Sequence, residues 1–428
     1  LPVSACLRSP VAGLAISKRI KAETLSTMAL LSVEEARSRI LADVAATAVE
    51  SVDLLSADRR VLAEDLSALR TQPPFDVSAM DGYAVRAADI KSFPARLSVI
   101  GESAAGHGFH DNMEPGQAVR IFTGAPVPAG ADAIVIQEDT DRDGETVIVQ
   151  ECVPEAGHIR KRGFDFQDGQ TLLAGRTVLT PRDITLAAAM GHGSLDVRRR
   201  PTVGLIATGD ELVLPGEETG PDQIVCSNPF GIAAIVERIG ADAHFLGIAK
   251  DDRDDLAALC ERGRDMDVLV TIGGASVGDH DIVAPVLQEM GMSLDFWRIA
   301  MRPGKPLMFG RLGKTHVIGL PGNPVSSLIC TWIFIVPLIA KLLGRHGSGL
   351  TMKPARLSTA MSKNGPREHY MRGVSETLAD GTLAVAPVRS QDSSLLSPLA
   401  LADVLIIRPP HDPDRAVGDT VSISQIDF

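Results

Sequence analysis

The sequence predicts a multidomain protein: a parallel α/β sheet, a small β region inserted in a mixed discontinuous region, and a β-rich C-terminal segment. Three observations carry this prediction. From Pro201 to Leu343, short apolar runs alternate with helix-length segments, the pattern of parallel strands joined by helical crossovers. From Leu97 to Val149, and again beyond Ala355, short β-rich runs are broken by Gly, Pro and Asp-Gly, which reads as all-β structure. The length, 428 residues, exceeds what a single hydrophobic core organises.

Within the α/β stretch, PTVGLIATGDE (from Pro201), ADAHFLGIAKDD (from Ala241) and MDVLVTIGGASVGDHD (from Met266) each run from apolar residues into glycine or acids. Between them lie segments of helical spacing, such as NPFGIAAIVERIG from Asn228. LDFWRIAMRPGKP and THVIGLPGNP follow, then a long apolar segment from Val325 to Leu343. Sheets of this class bind ligands beyond the carboxyl ends of their strands. That rim collects Glu211, Asp251, Gly273, Gly274, Ser276, Gly278 and Asp281, with Arg298, Arg302 and Lys305 nearby.

Elsewhere, Ser32 and Glu35 have capping-box spacing ahead of a helical stripe through Ala48. A short strand over Val52–Ala57 and a helix over Arg59–Leu66 are expected next. Pro73-Pro74 forces extended backbone, and SAMDGYA places Asp81-Gly82 at a turn, either a plain hairpin or a chemical motif. Thr123-Gly124 reads either as an ordinary turn or as a hydroxyl facing an anion. Thr180-Pro181 opens a helix that Gly191 stops. The expected divisions are an extension over 1–27, expected to be disordered; a discontinuous region over 28–72 and 158–198; an inserted β domain over 73–157; the α/β domain over 199–345; and a C-terminal β domain over 346–428. The extension carries several basic residues and lacks a clean apolar core with a small-residue cleavage site, so it reads as sequence outside the fold, with a signal peptide as the weaker alternative.

A net charge of −12 argues against non-specific nucleic-acid binding. Five scattered cysteines without a CxxC pair indicate free thiols in a reducing compartment and no zinc site. The apolar segment from Val325 contains Ser326, Ser327 and Pro337 and is expected to be a buried helix, not a membrane span.

Consecutive glycine N–H groups at a helix start attract phosphate. GGASVG has neither the Lys-Ser/Thr ending of a Walker loop nor the spacing of a dinucleotide fingerprint. Glu211, Asp251 and Asp281 follow three different strands, where carboxylates suit a hard divalent cation completed by waters and phosphates; singly, each is equally a first-turn acid of a helix. The arginines can grip an oxyanion. Pro321 and Pro324 stiffen a loop whose amides, at a helix start on Asn323, can meet an anion. The residues alone therefore reach a magnesium-assisted site for a phosphorylated or oxyanionic ligand.

SAMDGYA, TGAPVPAGAD, RKRGFD, TGDEL, SNP, GGASVGDHD, MRPGKP and GLPGNPVS, in this order from Leu31 onward, resemble the molybdopterin molybdenumtransferase family of bacterial MoeA and the gephyrin E domain. The resemblance implies a mixed dimerisation domain, an inserted β domain, a molybdopterin-binding α/β domain and a C-terminal β-barrel. It implies a cytoplasmic homodimer whose active cleft is shared between subunits. Its substrates would be adenylyl-molybdopterin and molybdate, with Mg2+ as cofactor and AMP released. Carried over by motif, Asp81 and Thr123 would face the partner's cleft, with Asp165 in the same pattern. Glu211 and Asp281 would hold magnesium with Asp251 nearby. Gly273, Gly274, Ser276 and Gly278 would bind pterin or adenylate phosphates. Lys305, Pro321 and Pro324 would line the pterin or molybdate pocket, beside Arg298 and Arg302, where the family often has lysine. Arg372 and Ser393 would reach over the cleft. A molybdopterin adenylyltransferase and apo-molybdoenzymes are the implied protein partners. The competing readings are an adenylyltransferase itself, against which the flanking β domains argue, and a non-enzymatic scaffold of the gephyrin type.

Overall fold

The computed structural model describes residues 30–150, 158–274, 282–345 and 351–426. The chain forms two compact units, Val49–Arg198 and, together, Leu1–Ala48 with Arg199–Phe428.

The larger unit holds the expected α/β sheet. Its strands are β1 (Thr202–Thr208), β2 (Asp242–Ala249), β3 (Val268–Ile272), β4 (Ser293–Trp297), β5 (Met308–Leu312) and β6 (Thr315–Leu320), in the order β2-β1-β3-β6-β5-β4. The first four in that order are mutually parallel. The other two are antiparallel additions, β5 to β6 and β4 to β5. The chain between β5 and β6 is the tight turn at Gly313-Lys314, far too short for a parallel crossover, with Gly313 at φ 61°. β1 and β3 are buried almost throughout, which explains why they read as continuous apolar runs instead of alternating ones.

Helices α1 (Asn228–Ile239) and α4 (Pro324–Leu342) pack together, as do α2 (Arg253–Arg262) and α3 (Val283–Glu289). Their ends follow local chemistry. Gly240 closes α1 in a left-handed cap at φ 109°, and the Asp252 carboxylate accepts from the N–H groups of Asp254 and Asp255 to start α2. Ile206, Leu256, Leu287 and Val317 bind the α2–α3 layer to the sheet. α4 is the only helix among the described residues long and apolar enough to cross a membrane, yet 83% of it lies inside the fold. Pro337, which cannot donate and crowds the carbonyl one turn earlier, follows a π turn over Thr331–Ile335 that widens the helix there.

Ser32 accepts from the Glu35 N–H at 3.1 Å to start the helix Val33–Leu41. The second half of the capping box is absent, because the Glu35 carboxylate bonds Arg39 instead. This helix was expected to join the discontinuous region; its contacts run to the α/β domain. Leu31 bridges Ile299, Arg39 meets Asp295 at 3.1 Å, and the Thr47 N–H donates to the Leu342 carbonyl at 2.7 Å. The two compact units part between Ala48 and Val49.

Beyond the α/β domain, Met352–Leu357, Glu368–Thr377, Leu383–Pro387, Val404–Arg408 and Thr420–Gln425 close into a five-stranded barrel. Closure occurs because Glu368–Thr377 pairs with both Leu383–Pro387 and Val404–Arg408. Leu357, Val385, Ile406 and Ile423 fill it.

In Val49–Arg198, six strands (Ala133–Ile136, Gly82–Val85, Gln117–Ile121, Ala95–Ser103, Thr146–Val149, Thr140–Asp143) form one sheet in that order. Val49–Asp53 pairs with Ser194–Arg198, and Leu66–Ser67 with Thr171–Leu173. The helix expected over Arg59–Leu66 is absent. Arg59 turns at φ 59°, and Val61 and Leu62 form bridges to Val178 and Val197. Three consecutive apolar side chains, Val61, Leu62 and Ala63, are buried here by neighbouring extended segments, and three in a row do not distinguish helix from strand.

Candidate functional site

Strand order reverses between β1 and β3: the crossover from β1 leads to β2 on one side, and the next leads back across to β3. A crevice is expected at the carboxyl ends of those two strands. A cleft of about 670 Å³ opens there, walled by Thr208, Glu211, Gly273, Gly274 and the Pro321–Pro324 loop. Its walls also include Cys226, Ser227 and Asn228 at the start of α1, with Ser394 and Leu396 from the barrel. The starts of two helices, α1 and α4, therefore converge on one space.

Glycine is required where these segments meet. A Cβ on Gly273, at φ 97°, would lie 2.8 Å from both the carbonyl oxygen and Oγ1 of Thr208, and the Gly273 N–H donates to the Leu320 carbonyl at 3.1 Å. Three strand ends are thereby drawn together, closer than side chains permit. The Asn228 amide donates to the Gly322 carbonyl at 2.7 Å, tying α1 to the proline loop. The Glu211 carboxylate folds back over Gly209 and has no side-chain hydrogen bond to another described residue. Burial, then the Glu211 charge, pushes the Cys226 thiol up to about 11. That thiol stays protonated at neutral pH.

Of the expected site residues, Glu211, Gly273, Gly274, Pro321 and Pro324 share this cleft. Asp251 is exposed beyond it, with its N–H donating to Asp210 Oδ1 at 3.1 Å. Ser276, Gly278 and Asp281 lie outside the described residues. Among the described residues no group of three His, Cys, Asp or Glu side chains is arranged to hold a metal. Lys305 is exposed next to Pro306, which lines the cleft. Arg298, at φ 92°, and Arg302 are not in its wall. Arg302 lies on Met301–Arg302, paired with Glu368–His369 of the barrel. Burial, and then the Arg302 charge, push His369 down to about 3.

The two barrel residues behave differently from each other. The Ser393 hydroxyl accepts from the Asn323 amide at 2.9 Å, and its carbonyl accepts from the Val325 N–H at 3.1 Å. Ser393 thus ties the barrel to the start of α4, while its neighbour Ser394 reaches the cleft. Arg372 was expected to reach over the ligand, but it is 1% exposed. Its guanidinium donates to the carbonyls of Leu395, Ser390 and Asp392 at 3.0, 3.0 and 2.9 Å.

A second cleft, of about 620 Å³, lies in the Val49–Arg198 unit between Gln72–Phe75, Gly124, Arg160, Phe164 and Asp165. Next to it, Asp81 and Thr123 are in contact: the Thr123 N–H and Oγ1–H both donate to Asp81 Oδ1, at 2.7 and 2.8 Å. Those two bonds hold the Asp81 carboxyl below its usual range, with a smaller contribution from Arg120. Arg120, stacked over Tyr83 and Phe122, was not anticipated. Nor were Cys226, Asn228 and Ser394, although the SNP motif ahead of a helical stripe was a usable signal for Asn228.

Family models described as the MoeA N-terminal region (domain I and II), a probable molybdopterin binding domain and the MoeA C-terminal region (domain IV) match residues 31–191, 204–341 and 354–426. The chain is 35% identical over 402 residues to a Haemophilus influenzae protein named molybdopterin molybdenumtransferase, covering 92% of this chain and 98% of that one. The chain belongs to the molybdopterin molybdenumtransferase family. A Bacillus subtilis protein of the same name is 34% identical over 92% of the chain and 93% of its own length. A solved molybdopterin biosynthesis MoeA protein from Pyrococcus horikoshii superposes with a TM-score of 0.80 at 30% identity, over 93% of this chain and 99% of that one. The family thus spans both compact units and the barrel, and accounts for the combination of fold elements.

Proposed function

We propose that the protein transfers molybdenum from molybdate onto the dithiolene of adenylylated molybdopterin, cleaving the pyrophosphate link and releasing AMP. The observation that supports this most is the cleft at the strand-order switch. There the Gly273-Gly274 turn, two helix starts and one carboxylate with no side-chain hydrogen bond among the described residues face a space large enough for a nucleotide-sized ligand.

In this reading, the backbone at Gly273-Gly274 and the starts of α1 and α4 hold the phosphates. Pro321 and Pro324 keep that wall rigid before substrate arrives. The exposed cations Lys305 and Arg302, with the half-buried Arg298, concentrate molybdate near the opening. Glu211, with Asp251 and Asp281, would hold Mg2+. A carboxylate with no side-chain hydrogen bond among the described residues fits a cation that keeps several waters and takes the rest of its ligands from substrate phosphates. When bound, that ion would supply charge neutralisation at the pyrophosphate. Asp81 and Thr123 belong to a homodimer in which each subunit's β unit completes the other's cleft. Asp81, held ionised by Thr123, offers a fixed negative charge there. The protein works in the cytoplasm and exchanges pterin with an adenylyltransferase and apo-molybdoenzymes.

The test is turnover of adenylylated molybdopterin with molybdate, following AMP release and pterin-bound molybdenum, in the wild-type protein and in Glu211→Gln. A loss of about a hundredfold or more in AMP release with unchanged folding is expected. Wild-type protein that adenylylates molybdopterin with ATP but transfers no molybdenum would replace this reading with the adenylyltransferase one.

A further inference from the structure

We propose that Arg120 is a positioning residue for the reaction: its guanidinium clamps the Asp81-Gly82 turn, so that the Asp81 carboxylate is presented in one orientation. The proposal rests on the functional reading above for what Asp81 faces, but the clamp lies wholly within one compact unit and its geometry is independent of that reading.

Arg120 lies on the strand Gln117–Ile121, directly opposite Tyr83 on Gly82–Val85. The chain runs on from this strand through Phe122 to Thr123, whose N–H and hydroxyl hold the Asp81 carboxylate. The arginine side chain reaches the start of the opposite strand. Nη1 donates to the Gly82 carbonyl at 3.2 Å, and Nη2 donates to Gln137 Oε1 at 2.7 Å. Gln137 in turn donates its N–H to the Asp81 carbonyl at 3.1 Å. Both carbonyls of the turn are therefore taken, one by the arginine and one by the residue the arginine holds. Gly82 is also wedged against a third strand, because a Cβ there would run into the Val135 carbonyl oxygen. Two rings hold the guanidinium itself: its carbon lies 5.1 Å from the centroid of Tyr83 and 4.9 Å from that of Phe122, within the range of cation–π attraction.

A planar fork that spans two acceptors in fixed directions is something a lysine ammonium does not reproduce. Charge is the smaller part of what Arg120 does. The Thr123 N–H comes first in holding the Asp81 carboxyl low, the Thr123 hydroxyl next and the Arg120 charge last. Thr123 fixes the carboxylate, and Arg120 fixes the main chain that carries it, so Asp81 is restrained at both ends. Alignment of a reacting site's charge lowers the barrier without adding much to substrate binding, so loosening the clamp should appear in kcat more than in KM.

Arg120→Gln removes the clamp, and Gln137→Ala removes one arm of it at an exposed position. In Arg120→Gln, amide exchange at Gln137 and Thr123 should quicken about tenfold. The kcat for AMP release should fall about tenfold, with the KM for adenylylated pterin and for molybdate within about twofold. Gln137→Ala should show the same pattern at about threefold with the melting temperature nearly unchanged, and the double variant should be no worse than Arg120→Gln alone, since both release the same turn. Arg120→Lys keeps the charge and loses the fork, and should regain none of the lost kcat. The proposal is overturned if Arg120→Lys restores turnover, which would leave charge as the whole contribution. It is equally overturned if Arg120→Gln raises a KM with kcat unchanged, which would make Arg120 a ligand-binding residue, or if exchange at Gln137 does not change. Should Arg120→Gln fail to fold, Gln137→Ala carries the same decision between kcat and KM. Asp81→Asn separates the two ways of failing: unchanged turnover there removes the reading of Asp81 and the proposal with it, whereas a loss there beside an unaffected Arg120→Gln removes the proposal alone.

Discussion

The two clefts are built by opposite means. The one at the ends of β1, β3 and β6 is made of backbone: glycines that let strand ends touch, prolines that stiffen a loop and helix starts that point inward. Its carboxylate, Glu211, makes no side-chain hydrogen bond among the described residues. The cleft in Val49–Arg198 is bounded by side chains, and the carboxylate beside it, Asp81, is locked by two bonds from Thr123. A free carboxylate is available to a cation or ligand; a locked one is a fixed charge. Site chemistry in the first region therefore tolerates little change of backbone, while in the second it depends on particular polar atoms.

Paired glycine substitutions test this contrast with the largest expected effect. Gly273→Ala places a methyl 2.8 Å from main-chain and side-chain oxygens of Thr208 at φ 97°, and should cost about 2–4 kcal/mol, strain and crowding combined. Gly124→Ala, at φ 80° with nothing within 4 Å, should cost only about 1 kcal/mol. Denaturant titration of the two variants gives both numbers. Equal costs would mean that crowding does not define the first cleft.

The same contrast explains what could be read from the chain alone. The α/β layer was legible because β1 and β3 are covered on both faces and so spell uninterrupted apolar runs. Glu211, Gly273, Gly274, Pro321 and Pro324 followed from the rule that such sheets bind at strand ends. The antiparallel pair β4–β5 was not separable from the parallel strands, since its register depends on pairing, not composition. The extended course of Arg59–Leu66 depends on bridges to Val178 and Val197, more than a hundred residues away in sequence. Helix Val33–Leu41 was recognised from its cap, but a cap says nothing about which domain a helix joins. For Arg372, an arginine followed by glycine reads the same whether its fork meets a ligand or three carbonyls.

Acid should separate the two units next. Burial is the leading cause that holds His316 near 4 and His369 near 3, both below the ordinary histidine value of about 6.5. Unfolding lets each bind a proton that the folded state excludes. Their contribution is fully present above about pH 6.5 and drains as pH falls toward 4 and then 3. For His316 the loss by pH 4.5 is on the order of 2 kcal/mol. The displaced groups in Val49–Arg198 are the carboxylates Asp76, held low by Lys161, and Asp81. Their contribution persists until pH falls below the usual carboxylate range. Both tryptophans, Trp297 and Trp332, lie in the larger unit, so intrinsic fluorescence reports it selectively. The urea midpoint read by fluorescence should fall between pH 6.5 and 4.5, and fall less in His316→Gln. A midpoint flat across that window would remove histidine burial as the cause.

The smallest effect concerns the lock on Asp81. Thr123→Val keeps the β-branched shape and the backbone N–H bond but removes the hydroxyl donor. The carboxyl should therefore titrate higher than in the wild type while staying below its unperturbed value, because the remaining 2.7 Å bond from the Thr123 N–H is the larger of the two causes. Stability at neutral pH should hardly move, since the group is exposed to solvent and screened. Turnover should nevertheless fall, because a carboxylate held by one bond can swing out of the orientation that two bonds impose. Carboxyl-detected NMR titration of Asp81 measures the first effect and AMP release the second. If the titration shifts while AMP release is unchanged, Asp81 is held by Thr123 for the sake of its own loop, and the second cleft owes its function to Arg160 and Asp165 instead.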